Sequence, residues 1–248
     1  MTTDMVPDSA ALSTLTLTLK EWLSPHSLRL WFRDEPRIEF RSGQFMQVVL
    51  PHDNPDDRGI RRFFTIASSP TEEGIAIITK VPEPCSSFKR ALVALEPGGT
   101  LAVTSLRGSF VLPERLNAPC AFLAAGIGIT PFRSMVKYMI DTGRHCPATL
   151  LYGEWCLEEF LCRGVFQKAQ ETIGLRPVYT ITGPDVPPDW TGRTGFISPE
   201  MIIEEIPDYR ERLFFVCGPP MATKSMETIL HDLGVPRDRI HRDYFPGY

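Results

Sequence analysis

The residue types best able to do chemistry gather in a few short stretches, the first being Arg61-Arg62-Phe63-Phe64-Thr65-Ile66-Ala67-Ser68-Ser69-Pro70. A guanidinium offers a planar fork of donors that suits phosphate oxygens. A phenyl face lies against a flat heterocycle, and a threonine hydroxyl donates or accepts at a ring nitrogen. Side chains alternate along an extended strand, so Arg62 and Phe64 point one way and Phe63 and Thr65 the other. A ligand lying along the strand end would meet charge, then ring, then hydroxyl. A second stretch, Cys85-Ser86-Ser87-Phe88, opens a helical pattern. Backbone N–H groups at a helix start bind anions and a serine hydroxyl adds a donor, although Ser86 equally suits a plain helix cap.

Two further stretches stand where an apolar run gives way to a helical one. In Gly126-Ile127-Gly128-Ile129-Thr130-Pro131 the glycines let backbone approach a dinucleotide, and the helix that follows favours its phosphates. In Cys217-Gly218-Pro219-Pro220-Met221 a cysteine ends an apolar run. By itself such a cysteine is a small buried hydrophobe, but a strand-to-helix turn is also where a parallel sheet binds ligands.

The elements that must position these residues are read from periodicity. Leu15, Leu17 and Leu19 alternate with threonines, and Leu28, Leu30 and Phe32 repeat the pattern. Period two reads as half-buried antiparallel strands, continued at residues 45–50, 63–67, 74–81 and 100–104. One helix is expected at 86–95, and six short strands in about a hundred residues predict a small barrel. Beyond Pro119 the rhythm changes to strands at 120–125, 148–152, 177–181 and 213–216, alternating with helices at 131–141, 157–169, 199–204 and 219–233. That alternation predicts a parallel sheet covered by helices on both faces. The expected architecture is two domains: an antiparallel β-barrel over residues 1–115 and an α/β parallel sheet over residues 116–248.

Composition narrows the function. With 43% hydrophobic and 23% charged residues the 248-residue chain is an ordinary globular protein rather than a disordered one. A formal charge of -4 lacks the basic footprint that nucleic acid needs. The acidic start, with Asp4 and Asp8, does not fit a signal peptide, and the apolar run at 120–129 is short of the roughly 20 residues that cross a bilayer. A cytoplasmic, not membrane-spanning protein is expected. Six cysteines, at 85, 120, 146, 156, 162 and 217, form no CxxC pair, so neither an iron-sulfur nor a zinc site, nor any other metal, is expected.

Taken together, these motifs resemble the ferredoxin-NADP reductase superfamily over roughly residues 13–245. Arg62-Phe63-Phe64-Thr65 is similar to its Arg-x-Tyr-Ser flavin motif, with Phe for Tyr and Thr for Ser. Cys85-Ser86-Ser87-Phe88 resembles its pyrophosphate segment Gly-x-x-Ser, with Glu83 where the glycine stands, and Gly108-Ser109-Phe110 resembles the turn that ends its barrel. Residues 124–134 are similar to its nicotinamide-binding segment, and Cys217-Gly218-Pro219-Pro220 to its Cys-Gly-Pro-Pro signature.

The resemblance implies a flavoprotein reductase that uses FAD and takes hydride from NADH, with NADPH possible. It assigns pyrophosphate to Arg62, Ser86 and Ser87, ring packing to Phe64, a place near flavin N5 to Thr65 and one near nicotinamide C4 to Cys217. Phe63, Lys80, Gly126, Gly128, Thr130, Pro131, Gly218, Pro219, Pro220 and Met221 complete the expected cofactor contacts. Thr65, Thr130 and Cys217 are the expected catalytic positions. Lacking a fused ferredoxin module, a monomer of this kind would hand electrons to a separate protein, a ferredoxin-like carrier or an oxygenase, with Lys89, Arg90, Arg107 and Arg115 as a basic patch toward it. The alternatives are a flavin reductase with a diffusible small acceptor, and a non-catalytic nucleotide-sensing subunit. Between Arg176 and Arg193 there is no Lys or Arg, while Asp185 and Asp189 would repel a 2′-phosphate, which predicts NADH. The tail, residues 241–248, resembles through Phe245 and Tyr248 those that end in a tyrosine over the flavin.

Overall fold

The computed structural model describes residues 11–114 and 118–244, the last without its side chain. The first half is an antiparallel sheet of six strands: β1 (Ser13–Ser24), β2 (Ser27–Glu35), β3 (Phe45–Val49), β4 (Arg61–Thr65), β5 (Ile75–Lys80) and β6 (Thr100–Arg107). They lie in the order β4-β3-β6-β1-β2-β5. The alternation seen in the sequence is the burial pattern: Leu15, Leu17, Leu28, Leu30 and Phe32 all point inward and are buried. The sheet curls until its two edges meet just past β4, where Ala67 N donates to Ala76 O at 2.8 Å and Ala76 N to Ser68 Oγ at 3.0 Å. Helix α1 (Ser87–Ala94) joins β5 to β6 and fills the interior with Phe88 and Leu92.

The second half is a parallel sheet of β7 (Cys120–Ala125), β8 (Ala148–Glu154), β9 (Arg176–Ile181), β10 (Arg193–Thr194), β11 (Leu213–Gly218) and β12 (Ile240–Tyr244), ordered β10-β9-β8-β7-β11-β12. The helices are α2 (Ile129–Thr142), α3 (Arg163–Ile173), α4 (Pro199–Glu205) and α5 (Pro220–Asp232). Alternate residues of the central strands go to opposite layers. Phe122, Ala124, Phe215 and Cys217 join the cluster of α2 and α3, while Ala121, Leu123, Phe214 and Val216 join that of α4 and α5. A sheet buried on both faces explains why these strands are apolar throughout.

Two expectations are corrected. The helix expected at 157–169 is a single 3-10 turn, Leu157–Glu159, followed by α3, because Cys162 takes a left-handed backbone (φ 59°) that no helix continues through. Residues 241–244, expected as part of a tail, form the parallel edge strand β12 beside β11. The proposed contacts of Phe245 and Tyr248 lie outside the described residues. Among the described residues no helix is long and apolar enough to cross a membrane.

The two halves are joined by α2. Arg133 donates to Ala67 O at 3.0 Å and chelates the Glu72 carboxylate, and Ser134 Oγ donates to Ser68 O at 2.6 Å. Phe110, which follows the barrel, meets Phe132 of α2 and Phe215 of β11 edge to face at 5.8 and 5.7 Å. Helix α2 therefore fixes the end of β4 relative to the turn that follows β7.

Candidate functional site

The nucleotide turn is built by close backbone approach. Gly126 sits at φ +57° and Gly128 has no room for a side chain, since a Cβ there would lie 2.3 Å from Cys217 O and 2.6 Å from Gly218 Cα. Gly218 is equally confined, its Cβ position being 2.9 Å from Ala125 Cβ. The turns after β7 and β11 thus lie back to back at the carboxyl edge of the sheet, where open α/β sheets bind their ligands. Thr130 Oγ1 donates to Ile127 O at 3.0 Å and closes the first turn, and Pro131 is buried behind it. Cys217 is fully buried, and burial followed by the charge of Asp243 pushes its thiol far up. Such a thiol stays protonated and offers a compact surface, not a nucleophile. Pro219 is half-buried, while Pro220 and Met221 stand exposed at the start of α5.

At the end of β4 the side chains divide as strand alternation requires. Phe64 turns into the barrel, 8% exposed and 6.0 Å from the Phe88 ring. Phe63 turns outward at 52% exposure and meets the Phe45 ring edge-on at 5.5 Å. Phe63 is therefore the aromatic of the pair open to a flat ligand, and Phe64 is its support from within. Thr65 Oγ1 is buried with no hydrogen-bond partner. A buried hydroxyl left unpaired costs about 1–3 kcal/mol, so this oxygen is a place where a bound ring nitrogen would be accommodated.

Around the start of α1 lies a cationic group that the sequence showed only in part. Arg62 lies over the Phe88 ring at 5.1 Å and donates to the carbonyls of Arg58, Gly59 and Arg61 and to Asp56 Oδ1 at 2.7 Å. Burial pushes the Asp56 carboxyl up, but the hydrogen bond and charge of Arg62 hold it below its ordinary value. Ser87 Oγ is shared between Asp56 N at 2.9 Å and His52 Nε2 at 3.1 Å, while Ser86 Oγ accepts from Lys89 N and caps the helix. Burial, with the charges of Arg58 and Arg62, brings the Lys89 ammonium down to about 8. Mutually repelling cations at a helix start with no acidic residue in its first turn would be relieved by an anion. The orphaned Thr65 hydroxyl, these cations and the glycine turns are the features that a flavin dinucleotide and a nicotinamide dinucleotide would fit.

His52, Asp56 and Arg58 stand in the connection between β3 and β4, and no local signal in the sequence marks them. Of the expected basic patch, Lys89 belongs to this cluster and Arg90 donates to Cys85 O at 2.6 Å, while Arg107 ends β6 and Arg115 lies outside the described residues. Lys80 ends β5 and reaches across to the nucleotide half, 2.9 Å from Glu154 Oε2. Burial keeps the Glu154 carboxyl above its ordinary value against the pull of Lys80.

A family model described as an oxidoreductase NAD-binding domain matches residues 122–227. The chain is 30% identical over 235 residues to "Ferredoxin--NADP reductase B" of Sorangium cellulosum (strain So ce56), covering 88% of this chain and 91% of that protein. It is 29% identical over 189 residues to "NADH-cytochrome b5 reductase 1" of Aspergillus terreus (strain NIH 2624 / FGSC A1156), covering 72% of this chain and 62% of the relative. It thus spans nearly all of the first relative but about three fifths of the second. Among solved structures, the Amycolatopsis cytochrome P450 reductase GcoB superposes with a TM-score of 0.82 at 21% identity over 94% of this chain and 69% of that one, a likeness of fold.

Proposed function

The chain belongs to the ferredoxin-NADP reductase superfamily, and from that premise we propose that it takes hydride from NADH onto bound FAD and delivers the electrons to a separate protein, a ferredoxin-like carrier or an oxygenase component. As a member it is an NAD(P)H-dependent flavoprotein reductase that binds FAD and a nicotinamide dinucleotide. Bound FAD supplies the conversion from two-electron to one-electron chemistry. The chain's own part is to hold and align. Arg62, with Arg58, Lys89 and the start of α1, receives the pyrophosphate of FAD, the Thr65 hydroxyl meets the reacting edge of the ring, and Phe63 presents a face to it. Gly126, Gly128 and Gly218 let the second dinucleotide come close, with Cys217 as a compact floor. The observation that carries the proposal is the tether of Arg133 and Ser134 to Ala67 O and Ser68 O. It ties α2, the helix that follows the glycine turn, to the residues two and three beyond Thr65, and alignment of this kind lowers a barrier by several kcal/mol. The purified protein is expected to be yellow and to bleach anaerobically on adding NADH. A colourless protein that does not take up FAD would overturn the reading.

The nucleotide preference follows from charge. The relatives' names include both NADP and NADH, so the residues after β9 must decide. The only cation bordering that segment on its far side, Arg193, is paired with Glu204 at 2.8 Å and with Glu205, and Arg176 on its near side is held by Glu205 at 2.7 Å. Glu204 and Glu205 would compete with a 2′-phosphate for these two cations, and Asp185 and Asp189 repel one. A kcat/KM for NADH at least about tenfold above that for NADPH is expected, equivalent to about 1.4 kcal/mol. Equal efficiencies would contradict it.

Lys89 gives FAD binding a pH dependence. Below pH 8 the side chain is a cation and attracts pyrophosphate; above it the charge and the attraction are lost. The affinity of apoprotein for FAD, measured by fluorescence titration, is therefore expected to fall as pH rises through 8 and on into the alkaline range, the bound anion holding the proton on longer. In Lys89→Met the fall should be absent. An unchanged slope in that variant would remove Lys89 from the site.

A further inference from the structure

The mouth of the nucleotide turn holds an acidic cluster spanning the two halves. Lys80 Nζ lies 2.9 Å from Glu154 Oε2 and 3.6 Å from Glu159 Oε2, and the side chains of both carboxylates are buried, 2% and 7% exposed, with Lys80 at 26%. Glu154 Oε1 accepts from the Tyr152 hydroxyl at 2.9 Å, which in turn accepts from Leu161 N. Glu159 Oε2 has no hydrogen-bond partner. A Cβ added to Gly126 would stand 3.9 Å from Lys80 Nζ, so this ammonium is poised directly above the backbone that a dinucleotide must approach. One cation is thus shared by two carboxylates where the incoming ligand is itself an anion.

We propose that Glu154 and Glu159 compete with the dinucleotide's pyrophosphate for Lys80 and so set how loosely nicotinamide nucleotide is held. A phosphate arriving at Gly126 gains the Lys80 ammonium only by sharing it with two buried carboxylates, whose charge repels it across a distance shorter than the Debye length. Neutralising either carboxylate removes part of that repulsion and frees Lys80 for the ligand. Glutamine preserves the shape of Glu154 and an acceptor for Tyr152, so the change is one of charge. The proposal rests on the nucleotide site assigned above, and makes the oxidised product easy to release at a cost in affinity.

The test is calorimetric titration of the FAD-loaded protein with ADP-ribose, which carries the pyrophosphate without nicotinamide, and with uncharged adenosine. Glu154→Gln is expected to tighten ADP-ribose about tenfold, or about 1.4 kcal/mol, and to leave adenosine unmoved. Glu159→Gln should act in the same direction, which keeps the test alive should Glu154→Gln fold poorly. Adding Lys80→Met to either variant should abolish the gain, since the contested ammonium is gone. Unchanged or weaker ADP-ribose binding in both glutamine variants, with thermal stability retained, would overturn the proposal alone. Wild-type protein that binds neither ADP-ribose nor NAD+ would instead overturn the nucleotide site beneath it.

Discussion

Apoprotein carrying Arg62→Leu is expected to bind FAD about 3 kcal/mol more weakly, a rise in Kd of roughly two orders of magnitude. The guanidinium is the best-organised cation at the start of α1, only 14% exposed and held by Asp56 and three backbone carbonyls. Charge-assisted bonds to phosphate are worth about 1.5–3 kcal/mol each, and a fork makes two. Leucine removes both and leaves the Asp56 carboxylate facing the pyrophosphate. Arg62→Lys keeps the charge without the fork and should fall between. Fluorescence titration with FAD decides the matter, and a leucine variant that purifies fully loaded, with unaltered Kd, would place the pyrophosphate elsewhere.

Phe64→Ala should lower the stability of the protein by about 3–5 kcal/mol, the range for removing a buried phenyl ring. Phe64 packs on Phe88, the residue that anchors α1 in the barrel, so the cavity would open beneath α1. Phe63→Ala, one residue away on the open face, loses only the edge-on contact with Phe45 and should cost about 0.5–1.5 kcal/mol. Urea unfolding of both variants checks the division of faces. If Phe63→Ala is the more costly, β4 is turned the other way.

Both predictions concern adjacent residues whose types were legible in the sequence but whose environments were not. Alternation placed Phe63 and Phe64 on opposite faces, yet which face is interior depends on the pairing of β4 with β3 and on where α1 lands. The same limit recurs elsewhere. Strands β1, β2 and β7 announce themselves because one face or both is apolar, whereas β12, with His241, Arg242 and Asp243 along it, has the polar character that edge strands carry. The break before α3 was hidden because a left-handed cysteine has no sequence signature. Among the site residues, the glycine turns and Arg62-Phe63-Phe64-Thr65 are local patterns. The partners of Lys80 lie 74 and 79 residues away, and those of Arg133 are residues 67 and 72 in the other half. Nothing in a local window connects such pairs, since only the folded sheet brings them together.

The seam between the halves bears on motion. Phe110 interlocks with Phe132 and Phe215, and α2 hangs from the carbonyls of residues 67 and 68, so what divides the halves is interior rather than two wetted surfaces. Opening this seam like a hinge would expose aromatic rings and strand buried donors, each unpaired donor costing about 1–3 kcal/mol. Entry and exit of nucleotide through rearrangement of side chains at the rim, with the backbone gap fixed, avoids that cost. The distance over which hydride moves is, on this account, a property of the folded core, as constant from one turnover to the next as the packing itself.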